Sequence, residues 1–122
     1  MDVYEAIRTR RSVRAFLDRD IEPDKLQRVL EAVRLAPSAS NRQEWRLVVV
    51  TDPDKRRRLA EEAAGQRFVA QAPVVIAACA ETDGHRMRCG QACYPIDVAI
   101  ALDHLTPVSY THLRAHETVL DL

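Results

Sequence analysis

Glycine is scarce in this chain, with three in 122 residues, at positions 65, 84 and 90. Phosphate loops of the Walker or dinucleotide kind need several closely spaced glycines, so the common nucleotide folds are disfavoured, and a flexible or low-complexity chain is disfavoured with them. Cysteine is equally rare. Cys79, Cys89 and Cys93 make an odd, sparse set that excludes a disulfide scaffold and leaves reduced thiols as the expectation. Net charge is absent too: 18 basic residues balance 18 acidic ones, where a general nucleic-acid binder would carry a basic excess. No apolar run approaches the roughly 18 residues that cross a bilayer, and the first residues lack the basic-then-apolar pattern of a signal peptide. A soluble, cytoplasmic protein without membrane or nucleic-acid partners is expected. Hydrolase chemistry has no support, because no serine nucleophile elbow is present and the histidines pair with no obvious nucleophile.

What is there reads as one globular domain, at 47% hydrophobic and 30% charged residues. Residues 1–60 carry an excess of about four positive charges and the remainder about four negative, so the balance hides a basic half. Asp2 is a good N-cap for a short helix over 3–9. Pro23 suits the first position of a second helix over 23–35, where Leu26, Val29, Leu30 and Val33 form one apolar stripe. Pro37 ends it. A loop of small and amide residues, 37–43, leads to Trp45 and an apolar strand over 47–50. Asp52 and Pro53 open a helix whose inner face is Leu59, Ala60, Ala63 and Ala64 and which Gly65 terminates; its outer run of Lys55, Arg56, Arg57 and Arg58 is solvated surface. Residues 74–80 read as a strand apolar on both faces, hence buried and central, with Cys79 a small core residue. Residues 81–90 read as a loop, and a helix apolar on most sides starts near Pro95. An α/β or α+β domain is implied.

Three constellations carry possible chemistry. Arg10, Arg11, Ser12 and Arg14 place three guanidinium forks and a hydroxyl within five residues; in an extended chain Arg10, Ser12 and Arg14 share one side, which suits a phosphate. A solvated basic run at a helix end is the plainer alternative. The loop 38–43 offers serine, asparagine and glutamine donors, which serve as turn-makers as readily as ligands. His85, Cys89 and Cys93, each four apart, would share a face of a continuous helix and could hold a soft metal; Gly84 and Gly90 weaken such a helix and only His104 offers a fourth ligand, so no metal site is assigned.

Taken in order, Arg10-Arg11-Ser12-Val13-Arg14-Ala15-Phe16, then Ala36-Pro37-Ser38-Ala39-Ser40-Asn41-Arg42-Gln43-Glu44-Trp45, then Gln71-Ala72-Pro73 before an apolar strand resemble the successive landmarks of the nitroreductase family. The resemblance covers residues 1 to about 106. It implies an α+β fold of three layers, α/β/α, and a homodimer with FMN at the subunit interface. It also implies electron transfer from NAD(P)H to a small-molecule acceptor, a nitro compound or a quinone, by a ping-pong route in which the flavin does the chemistry and no side chain is singled out as catalytic. By match to the motifs, Arg10, Ser12 and Arg14 would hold the FMN phosphate and Arg11 would give main-chain or ribityl contacts. Pro37, Ser38, Ala39 and Asn41, from the other subunit, would line the flavin, and Gln66 would face its pyrimidine edge.

Two departures stand out. Glu44 occupies a position where the family commonly has proline before the tryptophan. Pro107 interrupts the helix that starts near Pro95, and 109–118 is mostly polar, so residues 107–122 do not match. They are either a native polar tail or a foreign segment joined to a truncated domain, and a change in mid-helix favours the second. The domain is then incomplete at the C-terminus, and this chain is expected to be an N-terminal fragment, possession of FMN and of a partner subunit being open. A non-enzymatic module for a phosphorylated ligand or nucleic acid, and a fragment without function, are the alternatives.

Overall fold

The computed structural model describes residues 2–112, with side chains to Ser109. The two ends of the first helix show how the sequence punctuates itself. Asp2 accepts from the Glu5 N–H at 2.7 Å and starts α1, Val3–Thr9, which closes when the Arg10 N–H donates to the Ala6 carbonyl. Pro23 occupies the first turn of α2, Pro23–Arg34, as the sequence implies, and the Leu35 N–H still reaches the Glu31 carbonyl before Ala36 and Pro37 turn the chain away. Strand β1, Trp45–Val50, follows. Next come α3, Pro53–Arg58, capped by Asp52, a wider π-helical turn over Leu59–Ala64, and a short α4, Phe68–Gln71. Strand β2, Val75–Ala80, and α5, Cys93–His112, complete the described chain.

β1 and β2 pair antiparallel, with Trp45 opposite Ala80 and Val50 opposite Val75. Side chains alternate along a strand, so Trp45, Leu47 and Ile76 share one face of the sheet while Val50 and Val75 share the other. The two cores follow that division. Val29, Val33 and Ala36 from the α2 region join Ala101 and Leu105 of α5 against Trp45, Leu47 and Ile76. On the opposite face Val50 and Val75 meet Ala60, Val69 and Ala72, with Phe16 and Phe68 packed around them. Helices therefore cover both faces of the sheet, the three layers that the resemblance implies. Val29, Val33 and Val75 are fully enclosed, each contributing on the order of 1.5–3 kcal/mol as an upper estimate.

Several expectations need correction. β2 is not buried on both faces: Val75 is enclosed, but Cys79 and Ala80 are exposed. Cys79 is thus no core residue. It pairs with exposed Arg46 at the far end of the ladder from Val50 and Val75, beyond the cover that the π turn and α4 provide. α5 starts at Cys93, ahead of Pro95, and Pro107 does not interrupt it. The proline forfeits one helical hydrogen bond, while Val108 packs on the α2–α5 core and Ser109 is buried, so tertiary packing carries the helix through. The expected tail, 107–122, is therefore helical to His112, and from 113 onward it lies outside the described residues. Among the described residues no helix is long and apolar enough to cross a membrane.

Candidate functional site

The arginine stretch leaves α1 in extended conformation and forms no helix or strand. Arg10, Arg11, Ser12 and Arg14 are all exposed, and Val13 and Phe16 are the partly buried anchors. Arg14 lies with its guanidinium carbon 5.9 Å from the centre of the Phe68 ring, a cation–π contact, and Phe16 packs on the same ring at 6.4 Å between centres. Of the eleven described arginines after Arg14, six pair with a carboxylate, among them Arg19 with Glu22, Arg34 with Glu31 and Arg58 with Glu62. Among the described residues no carboxylate pairs with Arg8, Arg10, Arg11 or Arg14. Four positive charges within seven residues are left for an anion.

Gln66 is brought to the same neighbourhood by Phe68. Gly65 turns the chain with φ +62°, the left-handed conformation that closes a helix, and the Gln66 N–H donates back to the Ala60 carbonyl at 3.1 Å. The Gln66 side chain is exposed two residues from the ring on which Arg14 rests.

The third segment is built differently. Ser38 Oγ accepts from the Gln43 N–H at 3.0 Å, closing the loop on itself, and Asp97 Oδ1 on α5 accepts from the Ala39 N–H at 3.2 Å. Ser40, Asn41 and Gln43 have φ of 52°, 53° and 52°, three left-handed residues in four positions around the turn at Ala39–Asn41. Pro37 and Asn41 are exposed, Ser38 and Ala39 half-buried. Among the described residues no hydrogen bond or ion pair joins this loop to the arginine stretch or to Gln66, so one chain presents two separate parts. Two clefts of about 540 and 520 Å³ are lined by Leu59 and Ala63 and by Leu35 and Val108, with no residue of the three segments in either lining.

His85, Cys89 and Cys93 do not share a helix face. His85 and Cys89 lie in the 81–92 connection, which closes through a bridge between Arg86 and Ala92, and only Cys93 enters α5. Cys89 is exposed and Cys93 buried. His85 faces other partners. Its Nδ1 lies 3.0 Å from Asp83 Oδ1 and 3.1 Å from Glu44 Oε1. The His85 N–H bond, the imidazole and Arg42 hold the Asp83 carboxyl below its usual value. Glu44 and Asp97, buried at 6% and 4% exposure, were not singled out as site residues by sequence. Their signals were a carboxylate in place of a loop proline and an acid near the start of an apolar helix.

A sequence model of the nitroreductase family matches residues 7–118. The chain is 42% identical over 83 residues to a protein of Thermus thermophilus named NADH dehydrogenase, covering 68% of this chain and 40% of that one. It is 32% identical over 80 residues to the FMN reductase [NAD(P)H] of Bacillus subtilis, covering 66% of this chain and 32% of that one. It thus spans less than half the length of these curated relatives. A nitroreductase family protein of Clostridium difficile 630 superposes with a TM-score of 0.80 at 31% identity, over 91% of this chain and 63% of that one. The landmarks, the sheet covered by helices on both faces and these matches agree: the chain belongs to the nitroreductase family.

Proposed function

We propose that the chain is the flavin-binding part of an FMN-dependent oxidoreductase that moves electrons from NAD(P)H to a nitro compound or a quinone by a ping-pong route. The observation that carries this reading is the unneutralised arginine stretch, held by the stacking of Arg14 on Phe68 beside Gln66. The names of the Bacillus subtilis and Thermus thermophilus relatives support it.

The donor set suits FMN. Arg10, Ser12 and Arg14 would grip the terminal phosphate, the guanidinium forks matching its oxygens and the hydroxyl adding a small donor. Arg11 would contribute main-chain or ribityl contacts. Gln66 would donate at the pyrimidine edge, where a fixed dipole stabilises the negative charge that grows on reduction. Bound FMN would supply the redox chemistry itself, accepting a hydride from the nicotinamide and passing electrons to the acceptor. Pro37, Ser38, Ala39 and Asn41 would line the flavin of a second subunit, which fits their separation from the arginine stretch within one chain. The exposed apolar face of α1, with Val3, Tyr4 and Ile7 at 70%, 75% and 63% exposure, supports such a homodimer.

Titration of the protein with FMN, followed by quenching of flavin fluorescence, tests the reading. Arg14→Ala removes both a phosphate fork and the contact with Phe68, and is expected to weaken binding roughly tenfold or more, by about 1.5–3 kcal/mol for a charge-assisted bond. Equal affinity in wild type and variant would refute the assignment.

A further inference from the structure

Burying a carboxylate is costly unless its charge is met and its lone pairs are served. Glu44 and Asp97 are both buried, and each accepts a backbone N–H on one oxygen only. Glu44 Oε2 accepts from the Asp83 N–H at 3.1 Å, and Asp97 Oδ1 accepts from the Ala39 N–H at 3.2 Å. Asp97 Oδ2 and His85 Nε2 are fully enclosed without a hydrogen bond, and enclosed Glu44 Oε1 has only the His85 ring beside it, with Nδ1 at 3.1 Å. One ligand atom from each of the three residues lies within 4.8 Å of the other two.

The charge count points the same way. Two buried carboxylates and a neutral imidazole carry a formal charge of −2, and protonating the imidazole removes half of it. The nearby guanidiniums are engaged elsewhere, Arg42 with Asp83 and Arg46 with Glu81. Asp83 also orients the imidazole: a carboxylate can only accept, so in the neutral ring the bond between Nδ1 and Asp83 Oδ1 puts the proton on Nδ1 and the lone pair on enclosed Nε2. Hydrogen bonding alone does not complete this cluster. A divalent cation would complete it with one charge for each carboxylate.

We propose that Glu44, His85 and Asp97 form a binding site for a divalent transition-metal cation, with Zn2+ the best match to the donors. Zinc takes imidazole nitrogen and carboxylate oxygen at about 2.0–2.2 Å in a tetrahedral shell, so its ligand atoms are about 3.4 Å apart and the cluster closes on the ion by a contraction of up to about 1.4 Å, within reach of side-chain rotation. Magnesium and calcium prefer all-oxygen shells and fit an imidazole less well. The ligands come from three segments: Glu44 from the junction of the 37–43 loop and β1, His85 from the 81–92 connection, and Asp97 from α5. The side chains of His85 and Glu44 are 18% and 7% exposed, so the site is nearly closed. Such a cation acts as a structural tie. It fixes the loop that carries Ser38, Ala39 and Asn41 to the central helix, whatever that loop binds.

The test uses the whole chain, stripped with a chelator, titrated with Zn2+ alone and desalted before metal analysis. One Zn2+ per chain is expected, with a rise in the thermal midpoint. Glu44→Gln keeps the acceptor for the Asp83 N–H while removing an anionic ligand, and His85→Gln removes the imidazole. Each is expected to weaken zinc binding at least roughly tenfold, while Cys89→Ser leaves it unchanged. Should one of the two variants fail to fold, the other decides. Wild-type protein that retains less than about one-tenth equivalent of zinc overturns the proposal, as does wild-type affinity in His85→Gln or loss of binding in Cys89→Ser, which would place the metal on thiols.

Discussion

Ser40, Asn41 and Gln43 occupy the left-handed region, where asparagine is at home and serine and glutamine are not. Each strained residue costs on the order of 1–2 kcal/mol. The Ser38–Gln43 bond and the Asp97 anchor oppose that strain from both ends of the turn. Ser40→Gly relieves the strain but frees the unfolded chain by about 0.4–1 kcal/mol. The relief is the larger, so urea denaturation is expected to show a gain of roughly 0.5–1 kcal/mol; a lowered midpoint would mean that Ser40 makes a compensating contact. At this scale the sequence was partly readable. Ser38 and Asn41 stood out as polar residues in a loop, but nothing linear signalled that Glu44, His85 and Asp97 converge. Their separations in sequence are wide, and only the packing of α5 beside the β1 entrance brings them together.

Helices with a cap, a stripe and a stop were legible to within a residue or two. Asp2 and Pro23 announce α1 and α2, and both begin where those residues predict. The segment after β1 was legible as one helix, yet it widens into a π turn before Gly65 and is followed by a helix of four residues, too short to show a period. Gly65 belongs to this scale. Its φ of +62° is left-handed and an added Cβ would meet nothing within 4 Å, so the penalty of a side chain there is a backbone penalty alone. Gly65→Ala is expected to cost about 1 kcal/mol in thermal or chemical unfolding. No measurable change would show that the junction readily finds another path. α5 was misjudged at both ends because proline was weighed as a local boundary: the helix begins two residues ahead of Pro95, and packing of Ala101, Leu105 and Val108 against α2 carries it through Pro107.

At the scale of the molecule, the order of landmarks made the family and the layered α+β fold legible. The sequence misjudged exposure, because the cover on the second face reaches only the Val50–Val75 end of the sheet and leaves Cys79 outside. Exposure also bears on assembly. Val3, Tyr4 and Ile7 make α1 apolar toward solvent, and a second copy of the chain is the occupant that the proposed flavin site requires. Ile7→Glu is expected to shift the size-exclusion profile from dimer to monomer at micromolar concentration; a wild type that elutes as a monomer would refute that arrangement. The sheet itself has a further consequence. Among the described residues it has two strands, so each keeps one unpaired edge, and Val48 and Val49 are 51% and 36% exposed beside the single charge that β1 carries, Arg46. Arg46 and its surface partner Glu81 thus act as gatekeepers against edge-to-edge stacking, a guard that salt screens. Colloidal stability of this protein should therefore fall as ionic strength rises, and low-salt buffers should keep it in solution longest.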